Sequence, residues 1–515
     1  LNFNSSSHNF TFCFQPFFPN NGWQTKLFMR LETVDLLIIA VYLICITLFG
    51  LRFRKSQRSL RDYFLAGRNI PWWAIALSIV GAETSTLTVI GTPGIAYAGN
   101  FGFLQLVFGY LLGRIVVSLI FIPQYFRGEM FTAYQLIDRR FGEKLHRITA
   151  GVFLVTRAAA EGVRVWAVAI VIHIALGTGD VWSIAIVMVL TLIYTFEGGM
   201  AAVIWTDVVQ LAIYIGGTLV GFVTLLHLVP GGWPAIHSVA AEAGKMQVLD
   251  FSFTLAKPFT FWAGLIGGMF LNTATHGTDQ LMVQRLLVAR NQRDSTTALL
   301  FSGLVILAQF TLFLLVGAGL WVFYRMLPYA GQFATNDHVF PTFIVEHMPR
   351  GIAGLLIAAI LAAAMSNLSA ALNSLSSTTM IDFYLRRRPE TSDGKRLALS
   401  RVATVGWGAV LFALALASRY GGNVLEKGLS IASLAYGGLL GVFLLGLVTR
   451  RATQTGAIVG MLCGLALNIY IWWAWKTHIA WTWYVTFGSI TTFVVGYLAS
   501  FPEAKRDADR AQTSA

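Results

Sequence analysis

The sequence predicts an all-α membrane protein that crosses the bilayer thirteen times. Three observations predict it. Of 515 residues, 56% are hydrophobic and only 12% charged, where a soluble domain carries roughly 25% charge. The apolar runs are long and continuous, and about 20 residues of helix cross the hydrocarbon. Basic residues cluster in every second loop. Lipid offers the backbone no hydrogen bonds, so spans of this length are helices; a barrel needs short alternating segments.

The spans follow in order. The first is Val34 to Leu51. The second, Pro71 to Ala98, is long and interrupted by Gly91, Pro93 and Gly94. Four more run Phe103 to Pro123, Ile148 to Leu176, Val181 to Phe196 and Ala202 to Leu228. The seventh, Phe259 to Gln280, is broken by Gly264, Gly267, Gly268 and Gly277. The eighth is Leu299 to Tyr324, and the ninth, Ile352 to Tyr384, is rich in small residues. The last four are Val402 to Ala417, Gly428 to Val448, Thr455 to Trp473 and Trp481 to Ala499.

The net charge of +13 belongs to loops. Arg52 to Arg61, Arg127 to Arg147, Arg285 to Arg293, Arg386 to Arg396, Arg450 and Arg451, and Lys505 and Arg506 all fall on one side of a thirteen-span chain. The positive-inside rule places that side in the cytoplasm, with the N-terminus outside and the C-terminus within. A multi-pass protein of a bacterial-type inner membrane is expected, with lipid rather than nucleic acid around it. The first 31 residues lack the order of a signal peptide. Cys13, Cys45 and Cys463 have no metal spacing. Nucleotide-loop, dinucleotide and zinc-protease motifs are missing, which argues against an enzyme.

Charges and polar stripes inside spans default to function. The second span carries Glu83 beside a Thr and Ser run, and the seventh is small and polar at its middle. Paired broken helices point to a central transport site, where an unwound turn frees carbonyls for a cation. Their separation leaves five spans per half, which suggests an inverted repeat. The ninth span presents Ser366, Ser369, Asn373, Ser376 and Ser377 at helical spacing, either as small-residue packing or as an oxygen lining for a hard cation. The fourth holds Arg157, Glu161 and Arg164. Arg157 is either paired with Glu161 one turn away or free for a carboxylate solute, and Arg164 competes for the same partner. Asp207, early in the sixth span, sits near the membrane boundary, where a helix-capping role is one reading.

Five ordered segments carry a resemblance. They are DYFLAGRNIPWW at Asp62 to Trp73, YQLIDRRFG at Tyr134 to Gly142, EGGMAAVIWTDVVQ at Glu197 to Gln210, GTDQLMVQRLLVAR at Gly277 to Arg290 and AAAMSNLSAALNSLSS at Ala362 to Ser377. In these the chain resembles the sodium:solute symporters over Val34 to Ala499. The resemblance implies two inverted five-helix repeats with discontinuous helices. The core would be 70–449, with five spans at 71–228 and five at 259–448. A preceding helix at 32–52, two C-terminal helices at 452–500, an extracytoplasmic segment at 1–31 and a cytoplasmic tail at 501–515 complete the chain. The implied sodium ligands are Gly81, Thr84, Ala363, Ser366 and Asn367, with Asn367 standing where a hydroxyl is usual. Asp207 matches an Asp near the ion path, and Glu83 a position acidic in the proline branch. A second sodium site would need two hydroxyls where this chain has Ser369 and Ala370, so one sodium per cycle is expected. The sugar-branch pocket maps onto Thr88, Asn272, Thr275 and His276, and only the Asn is kept, which argues against a stacked hexose. The expected function is sodium-coupled symport of a small organic solute by a monomer, a carboxylate among the candidates. The alternative is a membrane solute sensor with a transporter-like core, distinguished by sodium-dependent accumulation.

Overall fold

The computed structural model describes residues 31–52, 66–127, 133–194, 200–326, 333–420 apart from 386 and 389, and 422–513. The N-terminal segment up to residue 30, the basic stretch 53–61 and the start of two quoted motifs, at Asp62 and Glu197, lie outside these. The regular structure of the described residues is helical. Nine of its helices are long and apolar enough to span a membrane, ten with one bent pair counted as a span. Two shorter apolar helices lie at Thr33–Phe49 and Asp180–Leu192.

We number the helices as α1 Thr33–Arg52, α2 Trp72–Glu83, α3 Thr86–Ala98, α4 Phe103–Tyr125, α5 Tyr134–Phe141, α6 Glu143–Leu176, α7 Asp180–Tyr194 and α8 Met200–Leu228. They continue with α9 Gly232–Glu242, α10 Gly268–Thr278, α11 Gln280–Leu287, α12 Gln292–Met326, α13 Val339–His347, α14 Ile352–Thr378, α15 Asp393–Ser418, α16 Val424–Val448, α17 Gln454–Ala474 and α18 Tyr484–Thr513. Helices α2 and α3 sit innermost, packed by α8, α12 and α16, and α10 packs on α4 and α16. Helices α17 and α18 form a pair against α16.

Helix α1 is tied to α14 through a buried carboxylate. Asp35 is buried, and its Oδ1 accepts from the backbone N–H of Gly351 at 2.8 Å and of Gly354 at 2.9 Å. It thus supplies acceptors to the orphan donors that begin α14.

The breaks differ in position from those the glycines suggested. The second span bends by 65° between α2 and α3, at Thr84 and Ser85. Gly91, Pro93 and Gly94 lie inside α3. The smallness of the two glycines serves close approach: a Cβ on Gly91 would sit 2.7 Å from the Leu425 Cβ. The seventh span breaks at Asp279, between α10 and α11. Its earlier glycines serve packing: a Cβ on Gly264 would meet the Gln105 carbonyl carbon at 2.5 Å, and one on Gly267 the Thr482 oxygen at 2.3 Å.

Candidate functional site

The α2–α3 break is built by hydroxyls that compete for the backbone. Thr84 donates both its N–H (2.8 Å) and its hydroxyl (2.7 Å) to Val80 O. Ser85 N–H turns back to Glu83 O at 3.0 Å, and Thr88 N–H goes to Ser85 O at 2.9 Å. In a continuous helix those two donors would serve Gly81 O and Thr84 O. The break therefore deprives these two carbonyls of their helical donors.

Three charge clusters surround the break. In the first, Glu83 Oε2 accepts from Arg114 Nη2 at 2.5 Å, and His276 Nε2 lies 3.2 Å from Oε1. Arg114, fully buried in α4, also donates to Ser302 Oγ at 3.1 Å. His276 Nδ1 faces Asn272 O and Thr275 Oγ1, at 3.2 and 3.0 Å. In the second, Asp207 Oδ2 accepts from Ser78 Oγ at 2.6 Å and Arg285 Nη2 at 2.8 Å. In the third, Glu161 Oε1 lies 3.0 Å from Arg157 Nη2 and accepts from Arg164 Nη1 at 2.8 Å. Arg157 Nη1 is also 3.8 Å from Asp279 Oδ2, which accepts from Tyr436 Oη at 2.6 Å. Asp279 Oδ1 meanwhile caps α11 through Leu281 N–H at 2.9 Å. Buried charges survive in this setting only when paired in this way.

The clusters open onto a central cavity of about 1010 Å³ whose wall includes Glu83, Thr88, Arg157, Asn272, Thr275 and His276. All five expected pocket residues, and Glu83 with them, thus border one space. A second cavity, of about 750 Å³, lies toward α5 and the start of α6 and is lined in part by Tyr134, His146, Ala370 and Ser374. Arg157, Asp279 and Leu281 border both cavities. Of the expected sodium ligands, Gly81 and Thr84 sit at the break, and Asn367 faces Ser85 and Thr86 across a small cavity. Ala363 is buried and Ser366 half-buried on α14, with Ser369 buried one turn on.

Two readings of single residues change. Arg285 is not a loop charge: it is 4% exposed and neutralises Asp207. Asp207 is not a helix cap, because it lies in the interior of α8 facing Ser78 and Arg285. Arg157 and Arg164 both take Glu161, so the two pairings the sequence left open coexist. Sequence reasoning missed Arg114, Asp279, Gln309 and Tyr436. A lone polar residue in an apolar span was the available signal for Arg114 and Gln309.

Comparison with known proteins bears on the same segments. The family model described as the sodium:solute symporter family matches residues 63–464. A sodium/sialic acid symporter of Proteus mirabilis is 27% identical over 93% of this chain and 98% of its own length. The human sodium/iodide cotransporter is 28% identical over 81% of this chain and 66% of its own length. A solved Na+-coupled sialic acid symporter, substrate-bound and outward-open, is 26% identical and superposes with a TM-score of 0.78 over 91% of this chain and 98% of that one. A nucleobase-cation-symport-1 transporter shares the fold at 13% identity and a TM-score of 0.54, over 87% of this chain and 94% of its own. The chain therefore belongs to the sodium:solute symporter family and carries out sodium-coupled secondary active transport of a small solute by alternating access.

Proposed function

We propose that the chain takes up a small organic anion, a carboxylate, together with one sodium ion. The observation that carries the sodium half is the diverted pair of donors at Ser85 and Thr88. It leaves the Gly81 and Thr84 carbonyls for a hard cation, with Ala363, Ser366 and Asn367 of α14 completing the oxygen set. The engagement of Asp207 by Arg285 and Ser78 supports a single sodium, since that carboxylate is spent.

The solute half rests on Arg157, whose guanidinium borders both cavities and whose Nε has no acceptor among the described residues. Its planar fork suits a carboxylate. Sialic acid is itself a carboxylic acid, and iodide an anion, so the relatives' named substrates agree with this sign. Thr88, Asn272, Thr275 and His276 supply the uncharged polar wall, with Glu83 held by Arg114 behind them. Glu83 and Ser369 then serve the ion path electrostatically rather than as a second sodium site.

We further propose thirteen spans, with a core of two inverted five-helix repeats, in an inner membrane. Each segment expected to span carries a helix in the described residues. Arg140 donates to Arg450 O at 2.9 Å and Ala452 O at 3.0 Å, so two basic loops share one end. That supports a cytoplasmic C-terminus and an external N-terminus.

The test is uptake of a solute library into proteoliposomes under an imposed inward sodium gradient. Accumulation of carboxylates that collapses when potassium replaces sodium is the expected result. Preferential accumulation of neutral or cationic solutes would overturn the anionic assignment. Solute binding without accumulation would favour the sensor.

A further inference from the structure

Helix α12 is apolar for most of its length, yet it buries an amide at Gln309, 2% exposed. A buried amide costs several kcal/mol unless its groups find partners. Gln309 does not border the central cavity, although its neighbour Phe310 does. Its partner is the break. Gln309 meets Thr84 Oγ1 with both amide atoms, Nε2 at 2.7 Å and Oε1 at 3.0 Å, and Thr84 Oγ1 lies 2.7 Å from Val80 O. A hydroxyl has one proton to give. Val80 O and Gln309 Oε1 are both acceptors within reach of that proton, and the Thr84 oxygen accepts from the amide Nε2. The result is a hydrogen-bonded link from α12 through Thr84 to the last turn of α2.

The opposite side of the same turn is also walled. A Cβ on Gly81 would lie 3.0 Å from Asp207 O, so α8 backs the turn at Gly81 as α12 backs it at Thr84. Thr84 is wholly buried, and the 225 positions separating it from Gln309 make the contact a tertiary one.

We infer that Gln309 is a positioning residue for the transported sodium ion: by fixing the Thr84 hydroxyl it sets the orientation of the Gly81 and Thr84 carbonyls. The inference rests on the reading of those carbonyls as sodium ligands. A cation bound by a few oxygens is sensitive to their orientation, whereas solute contacts made by α6 and α10 are not governed by this link. The signature is thus a change in sodium affinity separate from solute affinity.

The experiment uses the full-length transporter in proteoliposomes, with sodium as the probe and a solute identified from the library. Gln309→Met removes the amide at similar volume, and Thr84→Val removes the hydroxyl while keeping the carbonyl. Each should raise the sodium half-saturation about tenfold, and for Gln309→Met solute KM and maximal rate at saturating sodium should stay within about twofold of wild type. The double variant should be no worse than the worse single one, because both remove the same bond. Thr84→Ser, which keeps the hydroxyl, should restore the sodium affinity. Ser366→Ala, run alongside, separates the two readings. If it raises the sodium half-saturation and Gln309→Met does not, this inference alone falls. If neither does, the sodium-ligand reading falls and takes the inference with it. A shift at Gln309→Met without one at Ser366→Ala upholds the inference and moves the error to α14. Equal shifts in sodium and solute constants, or failure of both Gln309→Met and Thr84→Val to yield a monodisperse protein, would assign the contact to folding and overturn the inference.

Discussion

Acidifying the face opposite the basic loops from pH 8 to pH 6 should favour closure of the pathway there by about tenfold. The group responsible is Asp337, 1% exposed in the 3₁₀ turn Asn336–His338. Its Oδ1 accepts from Asn423 Nδ2 at 2.7 Å and its Oδ2 from Val424 N–H at 2.9 Å. The same Asn423 amide reaches Gly91 O of α3 at 3.0 Å. One carboxyl therefore joins this loop, the start of α16 and, through Asn423, α3. Burial pushes its pKa up to about 7, with Glu426 adding to the rise and the Val424 N–H and Lys427 opposing it. Once the pathway opens to water, the carboxyl returns to roughly 3.9, the ordinary value. The sign follows. A pKa raised in the closed state favours closure fully below about 3.9, and that favour is lost as pH rises through about 7. Between pH 8 and pH 6 the closed state goes from about a tenth to about nine tenths protonated, worth ~1.4 kcal/mol, while the open state stays ionised. Apparent affinity for outside solute scales with the open fraction. With internal pH clamped, outside KM should therefore rise up to about tenfold. His338 and Glu426 also titrate nearby, so the decisive comparison is Asp337→Asn, which keeps an acceptor for Val424 N–H and has no proton to gain. Its KM should be flat over this range. A flat wild type, or the same slope in Asp337→Asn, would refute the reasoning.

Four further outcomes are expected. Glu161→Gln removes the carboxylate that Arg157 and Arg164 share and leaves Arg157 only its 3.8 Å contact with Asp279, at a cost of about 3–5 kcal/mol. It should therefore lower detergent-stable yield more than Arg157→Gln, which leaves the Glu161–Arg164 pair, and the double variant should recover yield only in part; equal losses from the two single changes would contradict the shared pairing. Ser366→Ala should raise the sodium half-saturation tenfold to a hundredfold, from a loss of about 1–3 kcal/mol, and an unchanged value in a sodium titration of uptake would remove Ser366 from the ligands. A cysteine placed at Thr391 should label from the cytoplasmic face, and labelling only from outside would reverse the orientation. Gly109→Ala places a Cβ 2.2 Å from Gly264 O and 2.8 Å from the Gly268 Cα, backbone that cannot step aside; it should cost about 1–3 kcal/mol, and an unaltered thermal melt would show that α4 and α10 can part.

The sequence made the helices legible because hydropathy is a local property, and each segment read as a span carries a helix here. The presence of two broken helices was legible for the same reason, since small and polar runs weaken a helix wherever it packs. Their positions were not. Gly91 and Gly94 looked like interruptions, but what they adjoin, Leu425 and Asn336, lies hundreds of residues away, and only packing decides whether a glycine bends a helix or admits a neighbour. The same limit governs the charges. Arg157 and Glu161 could be paired on paper because they share a helix face. Glu83 with Arg114, Asp207 with Arg285 and Asp337 with Asn423 could not, since each pair comes from different helices or from a loop and a helix. Arg285 was counted among loop charges because a basic residue just past an apolar run has the same sequence appearance whether it meets water or a carboxylate.

The Asp35 carboxylate has a mechanical consequence. It fastens a peripheral helix to the leading end of α14, the helix that carries Ser366. Outward from that joint α1 turns Leu37, Val41, Ile44 and Leu48 away from the protein, onto what in a bilayer is acyl chain. Moving α14 then means dragging α1 sideways through lipid, since letting go would leave two amide protons at the start of α14 without their acceptor. The viscosity and thickness of the surrounding membrane thereby load the helix that carries the proposed sodium ligands, and turnover should respond to the bilayer even where no lipid touches the transport path.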